Sequence, residues 1–162
     1  MRLYAIDRLI LLLAVLAVLL LGTHWLAQPA PPTLTDSRPE SVNEIQVLQQ
    51  DRLRLALLRD RDGWMLTHPE IQRAAAQRVA GLLGLLQTAS LQRWQASSGS
   101  DLLAQFDPPV RTVRFDDLSI DFGGPSTPPG RRYVRIGDHI HLVDELWFNL
   151  TGLPADYYRE QN

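Results

Sequence analysis

The chain contains no cysteine. Disulfides, thiolate metal sites, a cysteine nucleophile and a lipid-modified N-terminal cysteine are thereby excluded. An exported domain with this sequence has to hold itself together by its core alone, which a domain above about 70 to 80 residues can do. Lysine is absent as well: all 16 basic residues are arginine. Arginine suits bidentate recognition of carboxylates and phosphates, but biased codon usage is the simpler reading, and no function is drawn from it. An excess of charge of one sign is also lacking. A formal net charge of -2 supplies neither the clustered basic field that phosphates require nor an acidic tail, so nucleic acid is not an expected partner. At 162 residues there is room for one domain and a short extra element.

A long apolar run, by contrast, is present. Residues 9–21 are all Leu, Ile, Ala or Val, and the chain stays uncharged through Ala27. As a helix, 9–27 would be roughly 28 Å long, close to the hydrocarbon thickness of about 30 Å. The competing reading, a cleaved signal peptide, needs small residues before the cut. The nearest candidate offers Gln28 and Ala30 with Pro31 following, a poor site. Arg2 and Arg8 flank the start and no basic residue follows until Arg38, so the positive-inside rule puts the N-terminus in the cytoplasm. The expectation is a single-pass bacterial inner-membrane protein with an anchor over 1–27 and Tyr4, His24 and Trp25 at the interfaces. A Pro-rich linker over 28–41, carrying Pro29, Pro31, Pro32 and Pro39, leads to a periplasmic domain over 42–162.

Within that domain, Ile45 and Val47, then Leu53, Leu55 and Leu57, alternate with polar residues, and 64–67 continues as a third strand. Thr67, Pro69 and Glu70 form a capping-box pattern that announces an amphipathic helix carrying Ile71, Ala75, Val79, Leu82, Leu83 and Leu86 on one stripe. Gly81 and Gly84 within it could mark the close approach of another helix, but the blander reading is only some lost helix stability. Leu91 to Trp94 suggests a strand, and Asp101 caps a short helical segment over 102–106. Asp116-Asp117 separates strands over 110–115 and 118–122. Gly137-Asp138 turns a hairpin between 132–136 and 139–143, and a last helix over 144–150 is ended by Gly152 and Pro154. The fold class expected is α+β: one transmembrane helix, then antiparallel strands packed on one main amphipathic helix.

The order of elements, with Gly63-Trp64-Met65-Leu66, His68-Pro69, Arg78-Val79, Leu82-Leu83, Phe106-Asp107-Pro108-Pro109, Phe122-Gly123, Arg132-Tyr133-Val134-Arg135 and His141-Leu142-Val143-Asp144, resembles an uncharacterised bacterial family of membrane-anchored, extracytoplasmic domains. Its longer members repeat the unit and often occur beside ABC-type transporter components of the gliding-motility kind. The resemblance implies an α+β domain on the periplasmic side and no reaction. This chain departs from the longer members in having a single unit.

Few residues offer chemistry. His139 and His141, two apart on a strand, share a face as a two-histidine metal site requires, with Asp138, Asp144 and Glu145 near in sequence. The blander reading has Ile140 and Leu142 facing the core and both histidines facing solvent or the Arg-bearing neighbour strand, and no metal or other cofactor is expected. Asp116, Asp117 and Asp121 read as turn and surface carboxylates rather than an acid–base pair. Arg131 and Arg132 could bind an anion beside the loop over 123–130, which lacks the glycine spacing of a phosphate cradle, but a solvated strand edge is the simpler reading. No Gly-x-Ser-x-Gly elbow marks a nucleophile, and no enzyme is expected. The C-terminal stretch is more aromatic than a chain end needs. Trp147, Phe148, Tyr157 and Tyr158 are the candidate partner-binding residues, although packing on their own sheet competes. The functional expectation is a non-catalytic accessory or scaffold protein that binds another envelope protein, a transporter component among the possibilities. The alternative is a periplasmic small-ligand or metal-binding domain.

Overall fold

The computed structural model describes residues 10, 12–18, 31–96, 101–127 and 129–160, and the chain divides into two compact units, 1–31 and 32–162. In the first unit, residues 10 and 12–18 are helical and exposed. Tyr4, His24 and Trp25, with the rest of the expected 9–27 span, lie outside the described residues. Among the described residues no helix is long and apolar enough to cross a membrane. This corrects the spanning anchor, the membrane as a partner, and the single-pass inner-membrane address with a periplasmic domain that followed from them. Apolar composition alone lowers a transfer free energy, whereas spanning also needs a continuous helix of about 20 residues.

The second unit is built on a nine-stranded antiparallel sheet. Its strands are β1 (Glu44–Gln49), β2 (Arg52–Asp60), β3 (Gly63–His68), β4 (Gln72–Ala74), β5 (Gln92–Gln95), β6 (Arg111–Phe115), β7 (Leu118–Pro125), β8 (Arg131–Ile136) and β9 (His139–Asp144). In space they run β4-β3-β2-β1-β6-β7-β8-β9-β5. Two four-strand meanders therefore meet at the β1–β6 pair. Each is followed by a short helix, α1 (Ala76–Leu83) after the first and α2 (Glu145–Thr151) after the second.

The fold is mostly β, which corrects the α+β expectation of strands packed on one main helix. The apolar spacing read as a helix from Ile71 to Leu86 is shared among three elements: β4, the eight-residue α1 and the 3-10 turn Gly84–Gln87. The capping box does not form, because the Thr67 hydroxyl donates across the sheet to the Ala56 carbonyl at 3.3 Å. Ile71 is left 78% exposed before β4. The helix opens instead after Ala75, whose N–H donates to the Tyr158 carbonyl at 2.8 Å.

Alternation along the strands sets the faces. Ile45, Leu57, Val113, Ile120 and Val134 are fully buried on one face, beneath Val79, Leu82, Leu85 and Leu86 of α1 and its following turn. Each such side chain contributes about 1.5–3 kcal/mol by leaving water. Part of the stretch read as a linker belongs to this layer: Leu34 is buried, and its N–H donates to the Thr88 carbonyl at 2.7 Å. Ile140, Leu142 and Phe106 of the 3-10 turn Leu103–Phe106 are buried as well. Among the turns, Asp116 sits at φ 50. Its carboxylate accepts from the N–H groups of Asn43 at 3.1 Å and Glu44 at 2.8 Å, tying the β6–β7 turn to the start of β1.

Candidate functional site

The histidine pair lies at the β5 end of the sheet. His139 and His141 share a face of β9, as their spacing requires. That face is not the solvent side, because in register His141 stands between Val134 of β8 and Arg93 of β5. His141 is only 5% exposed. The Ser90 hydroxyl donates to the Gln92 carbonyl at 3.2 Å, and Ser90 Oγ lies 2.9 Å from His141 Nδ1. A hydroxyl has one proton, so while it serves the Gln92 carbonyl Nδ1 is the donor to Ser90 and Nε2 keeps its lone pair; the roles across this contact follow the imidazole tautomer. This order is the reverse of nucleophile activation, in which the imidazole accepts the serine proton. Burial first, then the Arg93 guanidinium and His139, push His141 down to about 4, so it is neutral near pH 7.

The rings of His139 and His141 stand 6.4 Å apart at 54°, beside a cleft of about 450 Å³ that Ser90, Arg93 and the segment from Pro32 to Ser37 also line. Among the described residues no group of three or more His, Cys, Asp or Glu is placed to hold a metal. Arg93 adds a positive charge beside the two imidazoles, which suits a cation poorly.

The C-terminal aromatics pack mainly inward. Tyr158 is 1% exposed, its hydroxyl donating to the Leu150 carbonyl at 3.1 Å. Burial, with Tyr157 beside it, raises its pKa. Trp147 is half-buried with its ring against Gly84, where a Cβ would lie 3.0 Å from Cη2. Of the four, Tyr157 faces solvent at 41% exposure, with the Arg78 guanidinium 5.1 Å from its ring centre.

Phe148 organises the most unusual arrangement. The guanidinium carbons of Arg132 and Arg111 stand 3.6 and 4.2 Å from its ring centre, within cation–π range. Both arginines are buried, at 8% and 7% exposure. Arg132 has its counter-charge built in. It donates from Nε and Nη2 to the Glu145 carboxylate at 2.9 and 2.6 Å, and from Nη1 to the Gly123 carbonyl at 2.7 Å.

Arg111 differs. Its Nη1 donates to the Phe148 carbonyl and, at 3.1 Å, to the Thr151 hydroxyl, and no carboxylate among the described residues is ion-paired with it. Burial, then the like charge of Arg132, lowers its pKa. Gly152 makes room for it: a Cβ there would lie 2.7 Å from Nη2. Arg111 forms part of a cleft of about 420 Å³ whose wall also includes Leu53, Arg54, Leu55, His68 and Leu153. The strand parity that places Arg111 with Val113 and Phe115 was the available signal for an inward arginine. The same parity, Arg132 with Val134, contradicts the solvated-edge reading of Arg132. Comparison with known proteins found no matching family model, no similar curated protein and no similar solved structure.

Proposed function

We propose that this chain is a non-catalytic accessory domain that binds another protein, and that an extended segment of that partner adds to the outer edge of β5. The observation that carries the reading is the difference between the two ends of the sheet. At the β4 end the chain covers its own edge: Ala74 bridges to Arg159, Ala75 N–H donates to the Tyr158 carbonyl at 2.8 Å, and Glu160 N–H donates to the Arg73 carbonyl at 3.1 Å. At the other end, among the described residues, the sheet order stops at β5, all four of whose residues are exposed. Trp94 and Leu91 are exposed there at 36% and 39%.

An unpaired edge with apolar side chains is a template for strand addition, and natural proteins otherwise blunt or cover it. The resemblance noted from the sequence makes a transporter component the class of partner to look for first. The test installs a photoreactive residue at Gln92 or Gln95, and separately at Tyr157, in the native host. One identified protein crosslinked at the β5 positions, and binding purified domain in a manner abolished by Trp94→Lys, is the expected result. No adduct from β5, with the fold intact, rules the edge out. Adducts only from Tyr157 move the interface to the C-terminal aromatics.

A further inference from the structure

We infer that the cleft beside Arg111 is a binding site for a carboxylate attached to an apolar body. The argument rests on two arginines that share one aromatic ring and differ in their counter-charge. Arg132 and Arg111 are buried to nearly the same degree and both stack on Phe148. A buried guanidinium keeps its proton, so its charge must be balanced nearby. Arg132 meets that need with a bidentate carboxylate from Glu145. Arg111 has a carbonyl and a hydroxyl, both on Nη1, which offer only partial negative charge even at the C-terminal end of α2. Its Nε and Nη2 donate to no acceptor among the described residues, and neither is sealed from solvent. Those two donors form the planar fork that matches a carboxylate.

The rest of the wall fits the same class of ligand. Arg54 and His68 are the other basic side chains lining the cleft, and Val47, Leu53, Leu55 and Leu153 supply apolar surface. The acid on the wall, Asp156, is taken by Arg159 at 2.9 Å. A volume of about 420 Å³ lies within the range of small-ligand sites. The carboxylate is that of a small organic acid or that of a peptide C-terminus. The site is formed by β1, β2, the end of β3, β6, and the end of α2 with the segment after it, away from the β5 edge, so it stands or falls independently of the partner interface.

The test titrates the full chain with hexanoate, hexanamide, inorganic phosphate, and the dipeptide Leu-Leu in its free-acid and amide forms, followed by calorimetry and by amide chemical shifts. Saturable binding of hexanoate or free-acid dipeptide, at least tenfold tighter than the matching amide, is expected. A dipeptide much tighter than hexanoate identifies a chain terminus as the source, and the reverse identifies a small acid. Leu53→Glu adds an acid to the wall at a residue already 37% exposed and should weaken binding at least tenfold with the fold unchanged. Arg111→Lys, which keeps the charge and removes the fork, should weaken it similarly. Amides that bind as well as acids, phosphate binding without carboxylate binding, no saturable binding at all, or affinity undiminished in both variants would each overturn the assignment.

Discussion

His141 shows how a residue's surroundings, rather than its type, set its behaviour. Its imidazole is held at about 4 by burial and by Arg93 and His139, against an ordinary value of about 6.5. The folded state therefore binds this proton less tightly than the unfolded one. The contribution to stability is whole above about pH 6.5 and is lost as the pH falls toward 4. Between about pH 7 and pH 5 the loss should be about 2 kcal/mol. Urea midpoints across that range should fall for the natural chain, while His141→Gln, which keeps a polar group for Ser90 and cannot titrate, should show a much flatter dependence. An equal slope in both proteins would assign the acid sensitivity elsewhere. The strand position of His141 and its shared face with His139 were readable from the spacing. Which face is covered was not, because β9 is buried on both sides: Ile140 and Leu142 on one, His141 and Val143 on the other. Arg111 and Arg132 were opaque for a related reason. An arginine at inward parity reads as an error of phase until the carboxylate, carbonyls and aromatic ring that receive it are in place.

Among the elements, α1 and its following turn separate two glycines that look alike in sequence. A Cβ at Gly81 would meet nothing within 4 Å, whereas at Gly84 it would lie 3.0 Å from Cη2 of Trp147 on α2. Gly81→Ala should therefore raise stability by about 0.5–1 kcal/mol, through better helix propensity and a less flexible unfolded chain. Gly84→Ala should lower it by about 1 kcal/mol, because the ring must move. Pairing Gly84→Ala with Trp147→Leu should recover part of that loss, and chemical denaturation of the three variants checks all of it. The bland reading of these glycines holds at Gly81 and fails at Gly84, where two helices distant in sequence meet. The start of α1 teaches the same lesson. Thr67 and Glu70 satisfy a local capping rule, but Thr67 is already bonded across the sheet, and the tail fixes Ala75 as the point of entry.

At the scale of the whole molecule, the C-terminal tail does two jobs at once. Tyr158 fills the core, and Tyr158 to Glu160 closes the β4 edge. Truncation after Tyr157 should cost about 3–5 kcal/mol, the usual range for losing a large buried aromatic, and should also produce concentration-dependent association as the edge opens. Tyr158→Phe removes only the hydroxyl bond to Leu150 and should cost about 1 kcal/mol, with no association. Denaturation and light scattering of the two proteins separate the packing role from the edge role. A truncated chain that stays monomeric at high concentration would show that β4 is too short to recruit another strand.

Several strands and turns were determined by the sequence itself, because period-two alternation and turn chemistry are local. Residues 45–47, 53–57, 110–115 and 139–143 declare their strands, and Asp116-Asp117 and Gly137-Asp138 mark their turns. Tertiary structure alone decided the rest. It joined two meanders through β1 and β6, and drew β5 to β9 across a long stretch of chain. It gave part of a helix-like pattern to β4 and brought Leu34 into the core. It also covered the β4 edge of the sheet, while among the described residues no strand pairs with the outer side of β5. The reason is that burial and edge pairing are settled by contacts between residues far apart in the chain. A periodic run of apolar residues specifies a surface to be covered and leaves open what covers it.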